Sequence, residues 1–126
     1  MAELESAWRT QPDYEINFVP CRGTARVWHG DTLLAQGDAW LRLEETRHVD
    51  RFYFPMYDVR WEHFTRTEHH TICPFKGEAD YWTLHSSDPQ EENLVWAYRH
   101  PFDEVAGIAG HVAFYEERVR IELADL

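Results

Sequence analysis

This chain has a single lysine. Of its 12 basic residues eleven are Arg, and Lys76 is the exception. Cysteine is nearly as scarce: Cys21 and Cys73 are the only two, and no Cys-x-x-Cys occurs. Two thiols do not make a disulfide framework, and a structural zinc site needs a second, closely spaced ligand pair. No apolar run approaches the roughly 20 residues that cross a bilayer. The opening stretch, MAELESAWRTQPDYE, has neither the basic nor the apolar segment of a secretion signal. These absences predict a soluble cytoplasmic protein with reduced thiols. Positive charge is also outweighed, 12 basic against 23 acidic residues for a net charge of −11. That excess argues against nucleic acid and anionic membranes as partners.

What is abundant is aromatic. Six Trp, six Tyr and seven Phe make up 15% of the 126 residues, and hydrophobic residues reach 44%. Such a chain can bury a real core, and its length suits one domain. Residues 1–13 read as a polar N-terminal arm with an exposed Trp8, and residues 14–126 as a single β domain. Alternation with period two dominates after the arm. Strands are expected at Tyr14–Phe18, ended by Pro20, and at Ala25–His29. A two-residue Gly30-Asp31 turn leads to Thr32–Gln36. A bend at Gly37-Asp38 precedes Ala39–Glu44, where Ala39, Leu41 and Leu43 share a face. Arg51–Phe54, Thr71–Cys73, Ala79–His85 and Leu94–Tyr98 follow, the last with Leu94, Trp96 and Tyr98 on one face. Residues 57–64 fit neither period and read as irregular, with one helical turn. Asp103–Ala109, between Pro101 and Gly110, is the helix candidate. His111–Tyr115 and Val119–Leu123 read as a hairpin around Glu116-Glu117. The acidic pairs, Glu44-Glu45 among them, read as solvated turns and strand ends. The pattern predicts a mainly β fold: a single-domain antiparallel β roll or half-open barrel, with one short helix in the C-terminal third covering an open end.

The densest unusual stretch is Cys73-Pro74-Phe75-Lys76-Gly77-Glu78-Ala79-Asp80-Tyr81-Trp82. Together with GHVAFY at Gly110–Tyr115, with GDAWLRLEE and with PMYDVRWEHF, it resembles the bacterial family catalogued as domain of unknown function 427. The resemblance spans roughly residues 14–123 and implies a mostly β single domain. The family is sometimes labelled nucleotidyltransferase-like. The residues do not support that label. Metal-assisted phosphoryl transfer needs closely spaced carboxylates and usually a Gly-rich phosphate loop, and Gly37-Asp38 and Gly77-Glu78 stand isolated.

The signature carries the chemistry. Cys73 and Lys76 are the candidate reactive residues. An ammonium beside a thiol makes it a better nucleophile, and a desolvated amine can itself attack or polarise a carbonyl. Lys76, Gly77, Tyr81, Trp82, Asp58, Trp96, Tyr98 and His111 are the candidate ligand-binding set. Tyr81 and Trp82 point to opposite faces of their strand, so only one can share a cavity with Lys76. A small anionic or carbonyl-bearing ligand is the expected occupant. The competing reading makes the signature packing within a noncatalytic interaction module, with a homodimer as one form of it. Glu68, His69, His70 and Cys73 crowd together, but adjacent residues on a strand point apart, so no metal and no cofactor is expected.

Overall fold

The computed structural model describes residues 4–125, with side chains through Ala124, so residues 1–3 of the arm and Leu126 lie outside it. Eight strands follow in chain order: β1 (Ile16–His29), β2 (Thr32–Glu45), β3 (Arg51–Pro55), β4 (Phe64–Cys73), β5 (Gly77–Leu84), β6 (Glu91–Ala97), β7 (His111–Phe114) and β8 (Arg120–Asp125). They form one antiparallel sheet in the order β4-β5-β6-β7-β3-β2-β1-β8. The sheet does not close; β4 and β8 are its edges. The fold is therefore mainly β and half-open, as the alternation predicts. Among the described residues no helix is long and apolar enough to cross a membrane.

The first hairpin is longer than expected. Gly30-Asp31 makes its turn, with Gly30 at φ +56, but neither Pro20 nor Gly37 breaks the strands. Pro20 pairs opposite Leu41, where β8 does not reach, because β8 covers only Gly23–Trp28. On an open flank a missing N–H leaves no ladder bond unmade. Beside the bend expected at Gly37-Asp38 the extra residue lies on β1: Gly23 and Thr24 fall between the Arg22–Ala39 and Ala25–Gly37 pairs, with Gly23 at φ +143. A second irregularity leaves Leu34 of β2 between the Val27–Ala35 and Trp28–Leu33 pairs. Gly37 serves a different purpose. A Cβ there would collide with the Asp58 carboxylate.

Two further expectations change. His111–Tyr115 and Val119–Leu123 form no hairpin, since β7 is flanked by β6 and β3 while β8 pairs with β1. Both sides of β7 are taken, so a 3₁₀ turn at Glu116–Arg118 sends β8 to the free side of β1. The helix candidate forms at Asp103–Ile108, but as two 3₁₀ turns meeting at Val105. Six residues give few i→i−4 bonds to offset nucleation, so tertiary packing dictates their form. Val105 and Ile108 are fully buried. The irregular 57–64 stretch contains short 3₁₀ turns, Met56–Asp58 and Trp61–His63.

Strand alternation sorts the interior into two clusters. One holds Val27, Leu34, Trp40, Phe54, Trp82, Leu84, Leu94, Val95 and Phe114. The other holds Leu43, Tyr53, Tyr81, Trp96, Tyr98, Val105 and Ile108. Leu94 therefore leaves the face of Trp96 and Tyr98. Two extra β6 residues sit between the Leu84–Glu91 and Trp82–Val95 pairs, and Asn93 takes φ +51, which turns Leu94 to the other side.

Candidate functional site

Cys73 pairs with Gly77 at the end of the β4–β5 hairpin, leaving Pro74-Phe75-Lys76 as its turn. Two backbone carbonyls of this turn hold the N-terminal segment. Ala7 N–H donates to Pro74 O at 2.8 Å, and the Trp8 indole N–H donates to Phe75 O at 2.8 Å. Trp8 is thus partly buried, not exposed, and packs edge-on against Tyr14 and Phe75. Tyr14 stacks flat on Phe75, centroids 3.6 Å apart. Gly77 takes φ +117, and its open face is met by His100 O and Pro101 of its own chain. Phe102 N–H donates to Lys76 O at 3.0 Å. The glycine is required by this φ, which side chains rarely adopt; a Cβ would meet the neighbouring backbone at 3.6–3.8 Å, an ordinary contact.

These contacts turn the Lys76 side chain inward, and the residue is only 8% exposed. Its Nζ lies 2.5 Å from Glu45 Oε1 and 4.0 Å from Cys73 Sγ. The second oxygen of Glu45 accepts the Tyr14 hydroxyl. Glu45 is therefore not a solvated strand end; its side chain is 9% exposed. Two steps beyond Leu43 on β2, it stays on the face of the tyrosine cluster.

The cavity beside this pair measures about 520 Å³. Tyr53, Tyr81, Trp96, Tyr98 and Tyr115 wall it, and Cys73, Lys76 and Glu45 lie in its lining. Arg47 and Arg51, from the β2–β3 connection and the start of β3, also line it, as does His48, whose Nε2 lies 4.0 Å from Glu45 Oε2. Arg51 sits over the Trp96 ring at 5.6 Å and Arg47 over Tyr14 at 5.8 Å. Neither Arg has a carboxylate partner among the described residues. Arg47 adopts φ +62, a left-handed conformation uncommon for a side chain of its size. Burial pushes the Tyr53 phenol up, offset in part by the neighbouring Trp96 indole. Burial also raises Tyr98, reinforced by the neighbouring Tyr53 and Cys73, and raises Tyr115, reinforced by the neighbouring Tyr81. These phenols keep their protons and stay neutral donors.

The sequence-derived candidates divide. Cys73, Lys76, Tyr81, Trp96 and Tyr98 meet at the cavity. Gly77 supports the turn behind it. Trp82 lies on the opposite face, its ring centroid 5.0 Å from that of Trp61. Asp58 abuts Gly37, and burial with the nearby Asp38 charge raises its carboxyl. His111 lines a separate shallow hollow with Tyr57 and Trp40, its Nδ1 donating to Ala109 O at 3.1 Å. Sequence reasoning missed Tyr14, Glu45, Arg47, Arg51, Tyr53 and Tyr115. Carrying the Leu41, Leu43 alternation two residues further finds Glu45, and Arg51 to Tyr53 follows the same rule on β3.

His70, Glu78 and Asp80 also converge, at the outer end of β5. Asp80 already accepts from Arg99 at 2.5 Å and His70 at 2.9 Å, with Arg66 at 3.5 Å. Burial alone would raise its carboxyl. The Arg99 hydrogen bond and charge, with Arg66 and His70, outweigh burial and hold it below the usual range. Two guanidiniums at one carboxylate oppose a further cation, so this cluster reads as an ion-pair network.

The family model described as NTP_transf_9, a domain of unknown function (DUF427), matches residues 17–125. No curated protein matches the chain.

Proposed function

This chain belongs to that family of unknown function, and from this premise we propose that the cavity at the β4–β5 turn binds a small organic anion with a flat or aromatic body. The observation that carries the reading is the charge around the cavity. Three cations, Arg47, Arg51 and Lys76, face one carboxylate, Glu45, in a chain of net charge −11. Both Arg side chains lie over aromatic rings, which orients them without neutralising them. Protonated phenols add neutral donors, and an apolar aromatic wall with a few convergent polar groups is the usual form of a small-ligand site. The volume, about 520 Å³, falls in the range of such sites. The two free thiols fit a reducing, cytoplasmic setting.

The nucleotidyltransferase label is the weaker reading. Glu45 is the one carboxylate lining the cavity, and Lys76 and Tyr14 already occupy its oxygens. A packing role is supported for Pro74 and Phe75, which hold the N-terminal segment, but it does not account for two unpartnered Arg residues at a concave surface.

The test is a titration of isotopically labelled protein with benzoate, followed by NMR. The expected result is saturable shifts in the Trp96 indole and in residues 45–51 and 73–76, with a Kd of about 1 mM or tighter. Binding should weaken with added salt and be lost in Arg51→Ala. Shifts scattered over the surface, or none at these residues, would overturn the reading.

A further inference from the structure

Resting on this anion-binding reading, we propose that Lys76 joins the ligand covalently as an imine, and that the ligand class is a small oxo acid, an aldehyde or ketone that also carries a carboxylate. Charge alone does not call for lysine here. The chain writes every other cation as Arg, including the two that line this same cavity. A guanidinium serves an anion at least as well, whereas an amine can offer a lone pair to a carbonyl carbon. Lys76 is the chain's one side-chain amine. It is nearly fully buried, in the lining of a cavity whose remaining cations suit a carboxylate.

The surrounding groups supply the proton traffic. The ammonium must shed a proton before it can attack, and Glu45 Oε1 lies 2.5 Å away to take it. The Nζ lone pair then bonds to the carbonyl carbon, and the C=O π pair moves to oxygen, which takes that proton back to give the carbinolamine. A second proton, from nitrogen by way of Glu45, converts the hydroxyl to water. Water leaves as nitrogen closes the C=N bond. In sum an ammonium and a carbonyl give a protonated imine and water, with no change in charge and no oxidant or reductant. The iminium remains opposite Glu45, whose other oxygen is held by Tyr14. Arg51, on the same lining, seats the carboxylate.

The probe is 4-formylbenzoate with cyanoborohydride, which reduces an imine to a stable secondary amine, followed by peptide mapping. Only Lys76 and the N-terminal amine can react. We expect the adduct chiefly at Lys76 in folded protein, with that preference lost in urea. Arg51→Ala should lower trapping of 4-formylbenzoate roughly tenfold, as expected for a lost charge-assisted hydrogen bond, and leave benzaldehyde unchanged. Glu45→Gln should slow trapping of both aldehydes. An adduct confined to the N-terminus, or Lys76 labelling no faster than in urea, would overturn the imine. Equal trapping of both aldehydes in wild type and in Arg51→Ala would overturn the oxo-acid class. Benzoate titration separates the two readings: bound benzoate without trapping sinks the imine alone, whereas absent benzoate binding sinks the anion site beneath it.

Discussion

The two faces of the central strands make opposite uses of the same backbone. On β3, Tyr53 faces the cavity and Phe54 the other cluster; on β5, Tyr81 and Trp82 divide in the same way. On β6, Trp96 faces the cavity while Val95 and Ala97 face away. One face is closed with Phe, Leu, Val and Trp. The other carries phenols, an indole, a thiol and an ion pair around open space. Each also has one buried charged residue, and the two are treated differently. Asp80, on the Trp82 face of β5, is surrounded by Arg66, His70 and Arg99, and Glu78 beside it makes two carboxylates to two guanidiniums. Lys76 shares its one carboxylate with Tyr14 and opens onto a cavity holding two further unpaired cations. Charge is balanced around Asp80 and unbalanced around Lys76, and the proposed anion site rests on that difference.

The largest effect should come from breaking the dry face. Phe114→Ala removes a side chain that is 1% exposed and packs near Phe54 and Phe64. Stability in urea should fall by about 3–5 kcal/mol. A loss as small as that of a surface substitution would mean that this face is not the denser one. The next effect sharpens the contrast from the cavity side. Lys76→Met strands a carboxylate that is 9% exposed, and should cost about 3 kcal/mol. The double variant Glu45→Gln with Lys76→Met should recover most of that loss. Failure of the rescue would show that packing of the lysine stem, and not its charge, stabilises the turn.

The smallest effect is a pH dependence. The Asp80 carboxyl is held below its ordinary value in the folded protein. Its contribution is therefore fully present above the unfolded value, near 3.9, and is lost as pH falls through the depressed folded value. Asp80→Asn should cost about 1 kcal/mol at neutral pH, because Arg66 and Arg99 are partly exposed, and should cost less as the medium becomes acidic. Denaturant melts from pH 7 to pH 2.5 check this. Asp58, raised mainly by burial, works with the opposite sign: its ionisation opposes folding above its folded value and ceases to do so in acid. Relative to wild type, Asp58→Asn should be more favourable at neutral pH than at pH 3, and the reverse ordering of the two differences would contradict that sign.

Much of the fold was legible because alternation is a local property. The Gly30-Asp31 turn, the β3 and β5 strands and the separation of Tyr81 from Trp82 follow from adjacent residues. The misreadings share a cause. Pro20 looked like a stop because its tolerance depends on where β8 ends. The final two strands looked like a hairpin because nothing local says that β7 already has neighbours on both sides. At the cavity lie Cys73, Lys76 and Tyr81 of the signature, while Asp58 and His111, named with them as ligand-binding candidates, lie in another part of the sheet.

The residues by themselves determined a β domain, an acidic surface and one amine set three positions after a thiol, since strand periodicity, charge and residue identity need no partner to be read. Only the tertiary structure decided where that amine points. A backbone crossing at Gly77 and the docking of Trp8 on Phe75 turn Lys76 inward, and β2 brings Glu45 to meet it across 31 positions of sequence. Burial and pairing arise between segments, so the chemistry of Lys76 is settled by neighbours that its own stretch of sequence does not contain.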